Sequence, residues 1–293
     1  MDPILEMTNV SKSYKDFSLK NINLSLERGC IMGFIGPNGA GKSTTIKLIM
    51  NLVKKDSGVI KIFGLDNASE RNDLAIKERI GFVYDENHFY EELTVQEMKN
   101  VIRPFYSRWD EGLFTKYVKD FNLPMHKPIK QLSKGMKMKF SLAVALSHHA
   151  ELFIMDEPTS GLDPLIRNEF LDILQSVIQD EDKSVFFSTH ITSDLDKISD
   201  FITIIHNGEI LLSATKDELL EEYCIVKGGK DILKEMNREH LIGLKEHQFG
   251  FEALARNKRE LMKRCGNSAV LEKPTLEEIM LYSIRGETRA VPY

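Results

Sequence analysis

The chain has 293 residues, of which 42% are hydrophobic and 28% charged, and a formal net charge of -5. Such a length carries one large domain and a smaller one, and the acidic balance gives no general attraction to nucleic acid or anionic lipid. The longest fairly apolar stretch, 140–155, is interrupted by Ser141, Ser147, His148, His149 and Glu151, so it falls short of the roughly 18 apolar residues that a membrane span requires.

The start, MDPILEMTNVSKSYK, lacks the basic opening and apolar run of a secretory signal. Cys30, Cys224 and Cys265 lie far apart without metal-ligand spacing. A soluble protein of a reducing cytoplasm is expected, with the basic run 134–139 read as a solvated helix face.

In chain order, β-rich segments at 5–10, 22–26 and 31–35 alternate with turn residues, and a helical pattern follows at 42–52. A mostly helical stretch runs from about 87 to 150. Strand-like 152–155, a helix at 165–179 and strands at 185–188 and 201–205 then restore an α/β alternation. That order predicts an α/β core with a helical insert over residues 1–222. The tail, 223–293, reads as strand 223–227, helix 231–240, strands 243–247 and 249–256, helix 259–265 and strand 268–273. This is a small α+β unit in the order βαββαβ, the split-βαβ pattern. Thr275-Leu276-Glu277-Glu278 supplies a capping box for a last helix to about residue 284.

Two stretches carry phosphate chemistry. Gly36-Pro37-Asn38-Gly39-Ala40-Gly41-Lys42-Ser43 fits G-x-x-x-x-G-K-S/T, directly after the strand at 31–35 and before the helix at 42–52. Its glycines let backbone N–H groups converge on a phosphate, and the helix adds its positive N-terminal end. Gly36, Asn38, Gly39, Ala40 and Gly41 build the loop, and Lys42 supplies a mobile cation for the β- and γ-phosphates. Ser43 offers a hydroxyl to Mg²⁺, and Thr44 can donate to the α-phosphate. Further on, Leu152-Phe153-Ile154-Met155-Asp156-Glu157 is an apolar strand ending in two acids. Asp156 is the candidate metal partner and Glu157 the candidate general base for an attacking water.

With these motifs in this order, residues 1–222 resemble the ABC transporter ATPases. The resemblance extends to Leu132-Ser133-Lys134-Gly135-Met136 as the signature loop, Ser160-Gly161-Leu162-Asp163 as the D-loop, and Ser188-Thr189-His190 as the switch histidine. Tyr14 is similar to the family's adenine-stacking aromatic. The resemblance implies a P-loop NTPase fold of the ABC type that hydrolyses ATP with Mg²⁺, His190 sensing the γ-phosphate. It also implies a head-to-tail dimer with a second nucleotide-binding subunit, identical or not, in which Ser133, Lys134, Gly135 and Met136 face the partner's ATP. A separate transmembrane permease subunit would hold the pair at the cytoplasmic face of the membrane, and nucleic acid is not an expected partner.

The chain departs from the family pattern at two places. Lys134 and Met136 stand where the usual LSGGQ signature has glycine and glutamine. Asp85, in Ile80-Gly81-Phe82-Val83-Tyr84-Asp85-Glu86, stands in place of the Q-loop glutamine; a carboxylate there can still ligate Mg²⁺. Active hydrolysis is expected because Lys42, Ser43, Asp156, Glu157 and His190 are all present. The segment 90–95 resembles the surface on which coupling helices of the membrane partner rest, with Leu93 and Val95 expected in the core and Phe89 and Tyr90 available for contact. The tail resembles those of bacterial ABC-2-type exporter ATPases of the drug, bacteriocin and peptide groups, which implies dimerisation or regulation. Two other classes compete. A soluble ABC ATPase acting on ribosomes or DNA is disfavoured by the single nucleotide domain and the absence of coiled-coil heptads, zinc-type cysteines and a basic balance. A nucleotide-binding regulator with little turnover is favoured by Asp85 and the altered signature.

Overall fold

The computed structural model describes residues 2–84, 88–236, 240–258, 261 and 268–290. Residues 1–222 begin with strands β1 (Leu5–Ser13), β2 (Ser18–Leu26) and β3 (Ile31–Ile35), helix α1 (Lys42–Ile49), strands β4 (Ser57–Ile62) and β5 (Leu65–Asp66), helix α2 (Glu70–Lys77) and strand β6 (Ile80–Val83). A helical insert follows as α3 (Val95–Ile102), α4 (Glu111–Asp120) and α5 (Lys134–Ser147). Strand β7 (Leu152–Asp156), α6 (Pro164–Val177), β8 (Ser184–Thr189), α7 (Thr192–Ile198), β9 (Phe201–His206), β10 (Glu209–Thr215) and α8 (Lys216–Glu222) complete this part.

The central sheet has the order β10-β9-β3-β8-β7-β6. Its strands from β9 to β6 are parallel, and β10 is antiparallel to β9. Parallel strands covered on both faces read as near-continuous apolar runs, which is why Ile31–Ile35 and Ser184–Thr189 are buried throughout. Register pairs Ile35 with Thr189 and Asp156 with Ser188, so β3, β7 and β8 end side by side. The carboxyl edge of such a sheet is where open α/β folds take their ligands.

A second sheet, β2-β1-β4-β5, is antiparallel. One apolar core joins it to the central sheet and α1 through Met32, Phe34, Ile46, Ile60, Ile154 and Phe186. The sequence pattern leaves β4, β5 and α2 unread, because these elements are short and half exposed. It also carries α1 too far, since the expected helix to residue 52 ends at Ile49. Asn51 turns left-handed at φ 53°, and the Asn67 side-chain amide donates to the Leu48 and Ile49 carbonyls at 2.8 and 2.9 Å, satisfying carbonyls orphaned at the helix end.

In the insert, Val95 is buried and Leu93 packs on the core, as expected. Tyr90 is 68% exposed. Phe89 departs from expectation: its ring packs 4.9 Å from that of Phe140 and belongs to the core edge. The basic run at 134–139 is not merely solvated either. Lys139 is buried and pairs with Glu169 at 2.6 Å, and Lys137 pairs with Glu91 at 3.2 Å.

The tail comprises β11 (Tyr223–Gly228), α9 (Lys230–Glu235), β12 (Leu241–His247), β13 (Gly250–Arg256), β14 (Val270–Glu272) and α10 (Leu276–Ala290). Its sheet order, β12-β13-β11-β14, is antiparallel throughout and is the order a split βαβ unit produces. The helix expected at 259–265 lies almost wholly outside the described residues. The capping box forms: Thr275 N donates to Glu278 Oε2 at 2.8 Å, and Glu278 N donates to Thr275 Oγ1 at 3.1 Å. Side chains alternate across this sheet. Cys224, Val226, Phe251 and Ala253 make a core of their own, whereas Ile225 and Leu254, with Leu276, Ile279 and Tyr282 of α10, join the main core beside Leu195 and Ile198 of α7. The tail is therefore packed onto α7 and the main core. No helix among the described residues is long and apolar enough to cross a membrane.

Candidate nucleotide site

The loop after β3 folds around glycines with distinct tasks. A Cβ on Gly36 would stand 2.2 Å from the Ile205 carbonyl oxygen, so no side chain fits. Gly39 and Gly41 hold φ of 80° and 116°, values that L side chains rarely adopt. Gly41 then caps α1, whose first residue, Lys42, turns back over the loop. Lys42 Nζ donates to the Gly36 carbonyl at 2.7 Å and lies 3.1 Å from Glu157 Oε1, with its side chain 6% exposed.

Glu157 follows β7 with φ 49°, a left-handed conformation that costs a non-glycine residue on the order of 1–2 kcal/mol. Its backbone N–H donates to the Ser188 carbonyl at 3.1 Å across to β8. Its second carboxylate oxygen, Oε2, lies 2.7 Å from His190 Nδ1 and accepts from His190 N at 3.3 Å. One carboxylate thus spans a lysine from the β3 loop and a histidine from the β8 end. Asp156 accepts from Ser188 Oγ at 2.7 Å. Burial, and after it the Asp156 carboxylate, push the Tyr84 phenol up.

Lys42, Glu157 and His190 face a cavity of about 700 Å³ lined also by Asp16, Phe17, Asn38, Gly39, Gly41, Ser43, Thr44 and Ser160, whereas Asp156 is not among its lining residues. The volume falls within the ordinary range for a small-molecule or cofactor site. Sequence reasoning missed Asp16 and Phe17, and it read Ser160 only as the start of the D-loop. Tyr14, expected to stack on adenine, is absent from the lining. It is 45% exposed, with Lys12 Nζ 5.6 Å over its ring. A tight turn, closed by Tyr14 N donating to the Phe17 carbonyl at 2.8 Å, leaves Phe17 as the aromatic at the cavity.

Ser133, Lys134, Gly135, Met136 and Asp163 are not among the residues that line the cavity. Ser133 caps α5 by accepting from Met136 N at 3.2 Å. Gly135 is buried against Ile166, and Lys134 Nζ would be 3.6 Å from a Cβ on Gly161. Asp163 caps α6, accepting from Leu165 N and Ile166 N at 3.1 Å each. Asp85 lies outside the described residues. Among the described residues no cluster of three or more His, Cys, Asp or Glu side chains is preformed for a metal.

A family model described as ABC transporter matches residues 19–160. Another, described as AAA domain, putative AbiEii toxin, Type IV TA system, matches residues 127–195. The lantibiotic transport ATP-binding protein SrtF of Streptococcus pyogenes is 35% identical over 224 residues, covering 75% of this chain and 95% of SrtF. The bacitracin transport ATP-binding protein BcrA of Bacillus licheniformis is 33% identical over 222 residues, covering 75% of this chain and 72% of BcrA. The solved structure of an ATP binding subunit of an ABC transporter superimposes with a TM-score of 0.67 at 29% identity, covering 74% of this chain and 92% of that one. The chain belongs to the ABC transporter family, as one of its ATP-binding, ATP-hydrolysing members.

Proposed function

We propose that this ATPase is the motor of an exporter for peptides or amphiphilic drugs, acting as a pair of nucleotide-binding subunits on a separate membrane permease. The observation that carries the catalytic part is the Glu157 carboxylate held between Lys42 at 3.1 Å and His190 at 2.7 Å at the cavity wall. An incoming ATP offers Lys42 its β- and γ-phosphate oxygens, a better anionic partner than the Gly36 carbonyl. As Lys42 turns to the phosphates, Glu157 Oε1 is released to take the proton of a water aimed at the γ-phosphorus. His190, fixed through Oε2, stands on the same side to contact the γ-phosphate. Tyr14 and Phe17 are the aromatics available to the adenine.

Ser43 and Asp156 would hold Mg²⁺, with phosphate oxygens and water filling the remaining positions. Both are oxygen donors suited to a hard cation. The ion would neutralise charge on the phosphates.

The position of Ser133, Lys134, Gly135 and Met136 outside the cavity lining supports the paired arrangement. With Ser133 at the N-terminus of α5, these residues form a phosphate-seeking end that serves a second subunit's ATP. The relatives named for bacitracin and lantibiotic transport support a peptide cargo. We assign 1–222 to the motor and 223–293 to dimerisation or regulation. Mild detergent extraction of tagged chain tests the reading: a co-purifying polytopic membrane protein that stimulates ATP turnover is expected. Recovery with ribosomes or DNA and no membrane protein would overturn it.

A further inference from the structure

A buried carboxylate ties together the two segments that carry Glu157 and His190. Asp194, on α7, is 1% exposed. One of its oxygens accepts from the Thr159 hydroxyl at 2.6 Å, and the other accepts from Arg167 Nε of α6. Arg167 sends a further N–H to Ser193 Oγ at 2.8 Å. Thr159 is itself 1% exposed, so this clamp is shielded from water, where a charged hydrogen bond is stronger and harder to replace.

The chain leaves little slack between the clamp and the catalytic pair. Thr159 follows Glu157 within a turn closed by Ser160 N donating to the Glu157 carbonyl at 3.1 Å. Asp194 follows His190 through a turn in which Ile191 N donates to Thr189 Oγ1 at 2.9 Å and Asp194 N to the Ile191 carbonyl at 3.3 Å. The residues from Glu157 through Thr159, across to Asp194 and back to His190 form a closed ring, and the 2.7 Å contact between Glu157 and His190 closes it at the cavity.

We propose that Asp194 is a positioning residue for ATP hydrolysis, its grip on Thr159 fixing the separation of Glu157 from His190 and so the aim of the base at its water. This rests on Glu157 being that base. A purely structural Asp194 would need only Arg167, to hold α6 on α7. Thr159→Val separates the two roles, because it removes the hydroxyl, keeps the side-chain shape and leaves the Asp194–Arg167 pair in place.

Steady-state and single-turnover hydrolysis by the full chain, normalised to folded protein, provides the test. In Thr159→Val, kcat is expected to fall about tenfold while KM for ATP stays within about twofold, the signature of a misaimed catalytic group. Thr159→Ser, which keeps the donor, should recover most of the rate, and Asp194→Asn should lose it in the same way as Thr159→Val. On a Glu157→Gln background, Thr159→Val should cause no further loss. An unchanged kcat in Thr159→Val, or a full additional loss on the Glu157→Gln background, overturns the proposal. A Glu157→Gln variant that hydrolyses at the parental rate overturns the base assignment instead, and so separates the two failures.

Discussion

Gly135 lies so close to Ile166 that a Cβ built on it would stand 2.5 Å from the Ile166 Cγ2 methyl. The N-terminus of α5 is therefore seated directly on α6, and this glycine of the signature loop has a packing role within its own chain. Gly135→Ala gains helix propensity but overpacks a stiff, β-branched neighbour. A net loss of about 1–2 kcal/mol is expected in urea unfolding. Adding Ile166→Ala, which removes that methyl, should recover most of it.

Lys42 has three partners in the structure, the Gly36 and Pro37 carbonyls and Glu157. Lys42→Met removes the cation that both the carboxylate and an incoming phosphate use. ATP affinity, followed with a fluorescent analogue, should weaken by about tenfold to a hundredfold, the range for losing a charged hydrogen bond. Unchanged affinity would remove Lys42 from the phosphate site.

His148 is an interior group with a pH consequence. Its ring stacks 3.8 Å from that of Tyr106, and Nδ1–H donates to the Glu78 carbonyl at 3.2 Å. Burial lowers its pKa from 6.5 to about 4. Protonation thus favours the unfolded chain: the stabilisation is complete above pH 6.5 and is lost as pH falls towards 4. The full effect is roughly 3 kcal/mol at 1.36 kcal/mol for each pH unit. His148→Phe should keep the stack and flatten the stability profile across that window. A slope identical to the parent's would assign the acid sensitivity to other groups.

The tail is held by apolar contact with α7. Ile279 of α10 is fully buried in the core that also contains Leu195 and Ile198 of α7. Ile279→Ala should cost about 2–5 kcal/mol in urea unfolding. Because α7 carries Asp194, the same variant should also slow hydrolysis. A stability loss confined to the tail, detected by hydrogen exchange, would show that the two parts unfold independently.

The phosphate loop was legible in the sequence because its chemistry is contiguous, with glycines, Lys42 and Ser43 within one turn of chain after an apolar strand. Glu157 and His190 were legible for a related reason, since each ends a buried parallel strand. Phe17 is not legible, because only the turn from Tyr14 to Phe17 brings its ring to the cavity. Thr159, Arg167 and Asp194 meet only when β7, α6 and α7 pack, and no local pattern marks a buried aspartate as a clamp. The split-βαβ order of the tail was readable from strand alternation. Its merger with the main core was not, because period-two burial is the same whichever layer covers the sheet. Short β4, β5 and α2 carry too few buried residues to stand out from loops.

We assign to Glu157, held between Lys42 and His190, the role of taking the proton of the attacking water. Single-turnover hydrolysis of bound ATP by Glu157→Gln tests it most directly, because the amide preserves shape and removes the base. A fall of about a hundredfold or more is expected, with ATP binding retained. Hydrolysis at the parental rate would contradict the assignment.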